Sequence, residues 1–157
     1  MFKFLLFFIL QLSLVAQTIS FKEERYIDAL ENSVFKKGHI TLNSKNIELK
    51  YNHSSTTYRY EEGSIYTIIG NKQTLVPQEQ TMVLNIFFTL LKSIYSNNTT
   101  PLEAFFSIEE HSNHTQLTPK KNLLTYISRI EYKKNESLDY LKIYLPNNDW
   151  ITIEPIH

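Results

Sequence analysis

The chain has 157 residues, with 16 Lys plus Arg against 16 Asp plus Glu, no cysteine and only 3 glycines. Balanced charge argues against a nucleic-acid binder, which shows a basic excess or stripe. Without cysteine the fold rests on its core and the chain is not lipidated through an N-terminal Cys, and so few glycines leave no Gly-rich phosphate loop.

The N-terminus, "MFKFLLFFILQLSLVAQTIS", carries one positive charge at Lys3, an apolar run from Phe4 to Leu10 and small or polar residues after it. That order reads as a cleaved secretory signal peptide, residues 1–16 with an end as late as Ser20. A membrane anchor needs about 20 apolar residues, and Gln11 interrupts this run. Residues 17–157 then form a single domain, able to bury about two-thirds of its surface. Its Asn-x-Ser/Thr triplets (Asn52, Asn97, Asn98, Asn113, Asn135) arise by chance in a chain rich in Asn and Thr.

Ile27, Leu30 and Val34 recur at helical spacing, with Glu24, Arg25, Asp28 and Glu31 between them. This predicts an amphipathic helix of about three turns. Glu23, Glu24 and Glu31 read as its solvated face, and Gly38 as the turn into a sheet. Strand patterns follow at short intervals. Ile40 and Leu42 alternate with polar residues, then Ile47, Leu49 and Tyr51, then Tyr58 and Tyr60, then "SIYTIIG" and "KQTLVP" with a hairpin tip at Gly70-Asn71. Links this short join antiparallel neighbours.

"MVLNIFFTLLKSIY" (82–95) predicts a second helix, with Val83, Ile86, Phe87, Leu90, Leu91 and Ile94 as a wide apolar face opposed by Asn85, Thr89 and Lys92. "AFFSIEEH", "HTQLTP", "LTYISRIEYK", "DYLKIYLP" and "WITIEP" continue as strands. The fold class expected is α+β: a strongly curved antiparallel sheet, an unclosed β-barrel of roughly nine to eleven strands, with helices over its concave face. Strand twist curls a sheet that long.

The order of elements resembles the LolA-type carriers, periplasmic lipoprotein-transport proteins of Gram-negative bacteria. The resemblance is carried by Phe21-x-Glu23, Gly38–Leu42, "IELKYN" in the place of an aromatic strand, the Gly70 hairpin, the 82–95 helix and "QLTPKK" (116–121). The family's Arg-Pro before the aromatic strand is missing, so Lys45 stands in its place as the lid contact; Leu49 or Tyr51 replaces the usual Trp. The resemblance implies a hydrophobic cavity under a helical lid that shields the acyl chains of lipidated proteins, with Ile40, Leu42, Leu49, Tyr51, Tyr58 and Tyr60 facing Phe87, Leu90, Leu91 and Ile94. It further implies a monomer without cofactor or metal. Such a carrier receives cargo from an inner-membrane release complex and gives it to an outer-membrane acceptor. From the residues themselves, the same side chains serve equally as a solid core. Two other readings therefore stay open: a carrier of another lipid, and a periplasmic assembly or adaptor protein binding through a sheet edge or the "EEHSNH" loop.

No catalytic constellation is legible. His111 and His114 beside Glu109 and Glu110 read as a solvated turn rather than metal ligands. "HSS" (53–55) lacks the glycines of a nucleophile elbow. An enzyme is not expected.

Overall fold

The computed structural model describes residues 16–156; the segment read as a signal peptide lies, but for Ala16, outside the described residues. Eleven antiparallel strands form one sheet: β1 (Gln17–Ile27), β2 (Asn32–Leu42), β3 (Asn46–Tyr51), β4 (Thr56–Glu61), β5 (Ser64–Ile69), β6 (Lys72–Leu75), β7 (Phe106–Glu110), β8 (Thr115–Pro119), β9 (Arg129–Lys134), β10 (Leu138–Tyr144) and β11 (Trp150–Pro155). One α-helix, α1 (Met82–Ser96), joins β6 to β7. The spatial order β6-β5-β4-β3-β2-β1-β11-β10-β9-β8-β7 is two meanders sharing the β1–β11 ladder, and β6 and β7 are free edges, so the sheet is not closed.

Strand alternation explains the register. Leu49 lies between Ile40 and Tyr58, and Leu141 between Tyr132 and Ile153, so every strand sends the same parity of residue inward. The inward residues of both meanders join α1 in one buried cluster, from Ile65 on β5 to Phe106 on β7. Laid flat, eleven strands would span about 48 Å at about 4.8 Å each, whereas a helix is only about 10 Å across. A common cluster therefore requires the sheet to curl around α1.

The sequence-predicted first helix is not formed. Residues 17–42 make a long β-hairpin in which Gln17 to Ile27 pair continuously with Leu42 to Asn32, capped by a single 3₁₀ turn at Asp28–Leu30. The helical spacing of Ile27, Leu30 and Val34 marks no buried face: Leu30 is 69% and Val34 45% exposed. Local helix propensity yields because β1 lies inside the sheet, laddered to β2 on one side and β11 on the other, which satisfies its backbone groups on both edges. Nor are the three glutamates one solvated face. Glu23 is buried, Glu24 accepts the Ser33 hydroxyl at 2.7 Å, and Glu31 sits at the tip with φ of 47°.

Gly38 is likewise no turn. It lies mid-strand on β2, between Phe21 and Tyr51 on the neighbouring strands, whose rings meet edge to face above it at 5.8 Å. A Cβ at Gly38 would stand 2.6 Å from the Lys50 carbonyl oxygen and 2.8 Å from the Phe21 ring. The glycine is required by that close approach.

Candidate functional site: the trough and its helix

The curled sheet forms a trough, and α1 lies in it. Ile86, Phe87, Phe88, Leu90, Leu91 and Ile94 are 0–7% exposed, while Met82 and Val83 at the N-terminal end are 43% and 48% exposed. Residues buried at adjacent positions (Phe87 with Phe88, Leu90 with Leu91) show that the walls enclose more than one stripe of the helix.

The structure brings the sequence-predicted residues together. Ile40 and Leu49 are core residues, Leu42, Tyr51, Tyr58 and Tyr60 pack half-buried against the core, and Phe87, Leu90, Leu91 and Ile94 belong to the same cluster from the helix side. In this state trough and helix fill each other. Phe88, fully buried and stacked on Tyr60 with ring centroids 5.4 Å apart, is a central contact that the sequence stripe left out. Val83, placed on the apolar face by its spacing, lies at the open end.

The two ends of α1 are held differently. At the C-terminal end Asn97 adopts the left-handed conformation, and its N–H and that of Asn98 bond to the Ser93 carbonyl. Lys134 of β9 donates to the Ile94 carbonyl oxygen at 2.5 Å and to Asn97 Oδ1 at 2.6 Å. A cation at this end also complements the helix dipole. The N-terminal residue Thr81 makes no side-chain cap to the helix; its hydroxyl donates to the Gln78 carbonyl and accepts from the Asn85 amide. Lys134 was not identifiable from sequence, because its contact spans some 40 residues of chain. Lys45, the lid contact inferred from the family resemblance, is exposed in the β2–β3 turn. It lines a hollow of about 530 Å³ with Lys92, Tyr95 and Ser96 at the C-terminal end of α1. A second hollow of about 620 Å³ opens at the other end, between Met82, Ile86, Phe105 and Leu123.

Polar groups inside are few. Ser93 faces the sheet with its hydroxyl unpaired. Beyond the helix, the Tyr51 hydroxyl donates a short hydrogen bond to the buried Glu23 carboxylate. Burial, and then that carboxylate, push the Tyr51 phenol far above its ordinary range; burial alone raises Tyr95. His111 and His114 flank an exposed hairpin turn, their rings stacked at 4.7 Å. Among the described residues, no group of three or more His, Asp or Glu could hold a metal ion, and no helix is long and apolar enough to cross a membrane.

No protein-family model and no curated protein matches the chain. Solved structures similar to it include a LolA superfamily protein from Nitrosomonas europaea, 6% identical over 92% of this chain and 86% of that one, TM-score 0.47. An outer membrane lipoprotein-sorting protein domain from Vibrio parahaemolyticus is 5% identical over 90% and 83%, TM-score 0.46. A DUF1329 family protein from Desulfovibrio piger is 7% identical over 90% and 84%, TM-score 0.43. Identities this low transfer no residue's role to this chain.

Proposed function

We propose that this protein is a non-enzymatic carrier of acyl chains, working in the periplasm of a Gram-negative bacterium and shielding the lipid of lipoproteins between the inner and outer membranes. The observation that carries the reading is α1: an apolar helix seated in the trough of an unclosed sheet, with a side-chain grip from the sheet at its C-terminal end and an open hollow at each end. Because β6 and β7 are not bonded to each other, the trough widens without breaking a ladder. The helix swings from its N-terminal end, where Thr81 bonds, among the described residues, only to Gln78 and Asn85 and to no strand, about the Lys134 contact.

Magnitudes favour exchange between helix and lipid. Withdrawing the six large buried side chains of α1 costs roughly 9–18 kcal/mol at about 1.5–3 kcal/mol each. An acyl chain of about fourteen methylenes recovers about 11 kcal/mol at about 0.8 kcal/mol per methylene. One or two chains offset the loss, so cargo is held and also released. A closed hollow already lined and waiting would bind lipid too tightly to hand it on.

The test is displacement of a fluorescent apolar probe from the chain beginning at Gln17 by a triacylated lipopeptide. Saturation near one lipopeptide per chain is expected. Phe88→Ala supplies the sign that separates the readings. It loosens the helix, so a carrier whose helix must leave gains lipopeptide affinity as it loses stability. No probe or lipopeptide binding by the well-folded protein would overturn the carrier reading in favour of a solid-cored adaptor.

A further inference from the structure

The β1–β2 hairpin outruns the strand beside it. β3 pairs with β2 only along Gly38–Leu42. The Asn52 N–H then bonds to the Lys37 carbonyl at 2.8 Å, and the chain turns away toward β4. The β3-facing edge of residues 32–36 therefore has no strand neighbour, and the step is a hollow of about 790 Å³, a size common among small-molecule sites.

Its walls combine cations with aromatic rings. Lys36, Tyr51 and Tyr58 line it from the trough face, and Lys37, Phe35 and Lys22 from the opposite face of the sheet by strand alternation, with His53 in the loop after β3; no carboxylate lines it. Lys22 is engaged by Glu154 at 2.8 Å. Among the described residues, Lys36 and Lys37 have no carboxylate partner within ion-pair distance. Lys36 instead lies 5.3 Å over the centroid of the Tyr51 ring. Its cross-strand partner Glu23 is turned into the core and takes the Tyr51 hydroxyl, so its carboxylate leaves the hollow to the cations. Tyr51 and Tyr58 line this hollow and also pack on the trough core. The trough-face wall of the hollow, Lys36 with Tyr51 and Tyr58, thus runs on into the apolar trough.

We infer that this step binds the anionic, phosphate-bearing head group of an acyl amphiphile whose chain runs past Tyr51 and Tyr58 into the trough. The inference rests on the acyl-carrier part of the proposed function and departs from its cargo, naming a phosphate-bearing amphiphile where the lipid of a lipoprotein carries no phosphate. Lysines this exposed contribute about 0–1 kcal/mol each, so they set preference among lipids while the chain supplies affinity.

Three probes test it with the chain from Gln17: a lysophosphatidic acid, the lysophosphatidylcholine of equal chain length, and inorganic phosphate. Lysophosphatidic acid is expected to bind about tenfold tighter than lysophosphatidylcholine. Lys36→Gln with Lys37→Gln should abolish that preference and leave lysophosphatidylcholine binding unchanged, whereas Lys72→Gln, on the free edge strand β6, should change neither. Equal affinities for the two lipids, insensitive to the double substitution, would overturn the head-group site and leave the carrier reading intact. Inorganic phosphate binding as tightly as lysophosphatidic acid would also overturn it, in favour of a free-anion site. Failure of both lipids to bind to protein that takes up the triacylated lipopeptide would overturn the inference alone, and failure of the lipopeptide as well would remove the carrier reading with it.

Discussion

The inner face of the sheet has two stretches built from the same strands. Under α1, β2 offers Ile40 and β3 offers Ile47 and Leu49, each at most 5% exposed. Where no residue of α1 lines it, the same face of the same strands offers Lys36 on β2 and Tyr51 on β3, with Glu23 beside them on β1. Gly38 marks the border, with two aromatic rings closing over it. The difference shows that the helix, more than the strand, dictates where an inward residue must be apolar: polar groups enter as soon as the helix stops covering the sheet.

The contrast can be broken from the covered side first. Leu91→Glu puts a carboxylate at a position of 0% exposure with no cation to receive it. A loss of more than about 5 kcal/mol is expected, comparable with the whole stability of a domain. Urea unfolding should show little or no native baseline, and a normal transition would mean that α1 does not occupy the trough.

At the border, Gly38→Ala drives a methyl group against a backbone oxygen and the Phe21 ring. About 2–3 kcal/mol of destabilisation is expected in the same measurement. A neutral effect would show that the rings do not close over the strand.

On the uncovered side, Tyr51→Phe strands the Glu23 carboxylate without its donor, at about 1–3 kcal/mol. It should also change the alkaline limb of stability. The folded-state pKa of Tyr51 is raised, so its contribution is complete below the unfolded value of about 10 and is lost as pH rises beyond it. In the variant, melting temperature followed by circular dichroism from pH 9 to 11 should fall less steeply than in the parent. Equal slopes would mean that the phenol is not held in its neutral form.

The smallest effect runs the other way. Ser93→Ala removes a buried hydroxyl that has no partner and should stabilise by up to about 1 kcal/mol, read as a shift in urea midpoint at unchanged slope. Destabilisation would reveal a partner for the hydroxyl, such as a bound water.

How far these features were legible in the sequence follows from whether their causes are local. Leu141 and Ile143 alternate with polar residues because one face of β10 meets the core, and alternation is visible in any such strand. The 82–95 helix was visible for the same reason. Ile27, Leu30 and Val34 misled because a helical period in a short window costs nothing to imitate. What made that segment a strand was pairing with Trp150–Pro155, more than 120 residues away. Phe88 was missed because a one-sided helix was assumed, and two walls bury adjacent residues. Lys36 and Lys37 carry no local signal of a site, and nothing nearby in sequence shows that β3 leaves the edge of residues 32–36 unpaired.

The single seam between the two meanders has a consequence for the chain as a thread. The first strand and the last lie side by side in the middle of the sheet, where the Ile156 N–H bonds to the Ser20 carbonyl. Six strands on one side of α1 and five on the other fold from neighbours in sequence, and only the seam joins distant stretches. Closing it is the late, slow event expected of non-local pairing. A hairpin linker across those ends, with the chain reopened after Ser96, would convert the protein into one uninterrupted eleven-strand meander with the seam made local, a permutant that should fold faster while keeping the same trough.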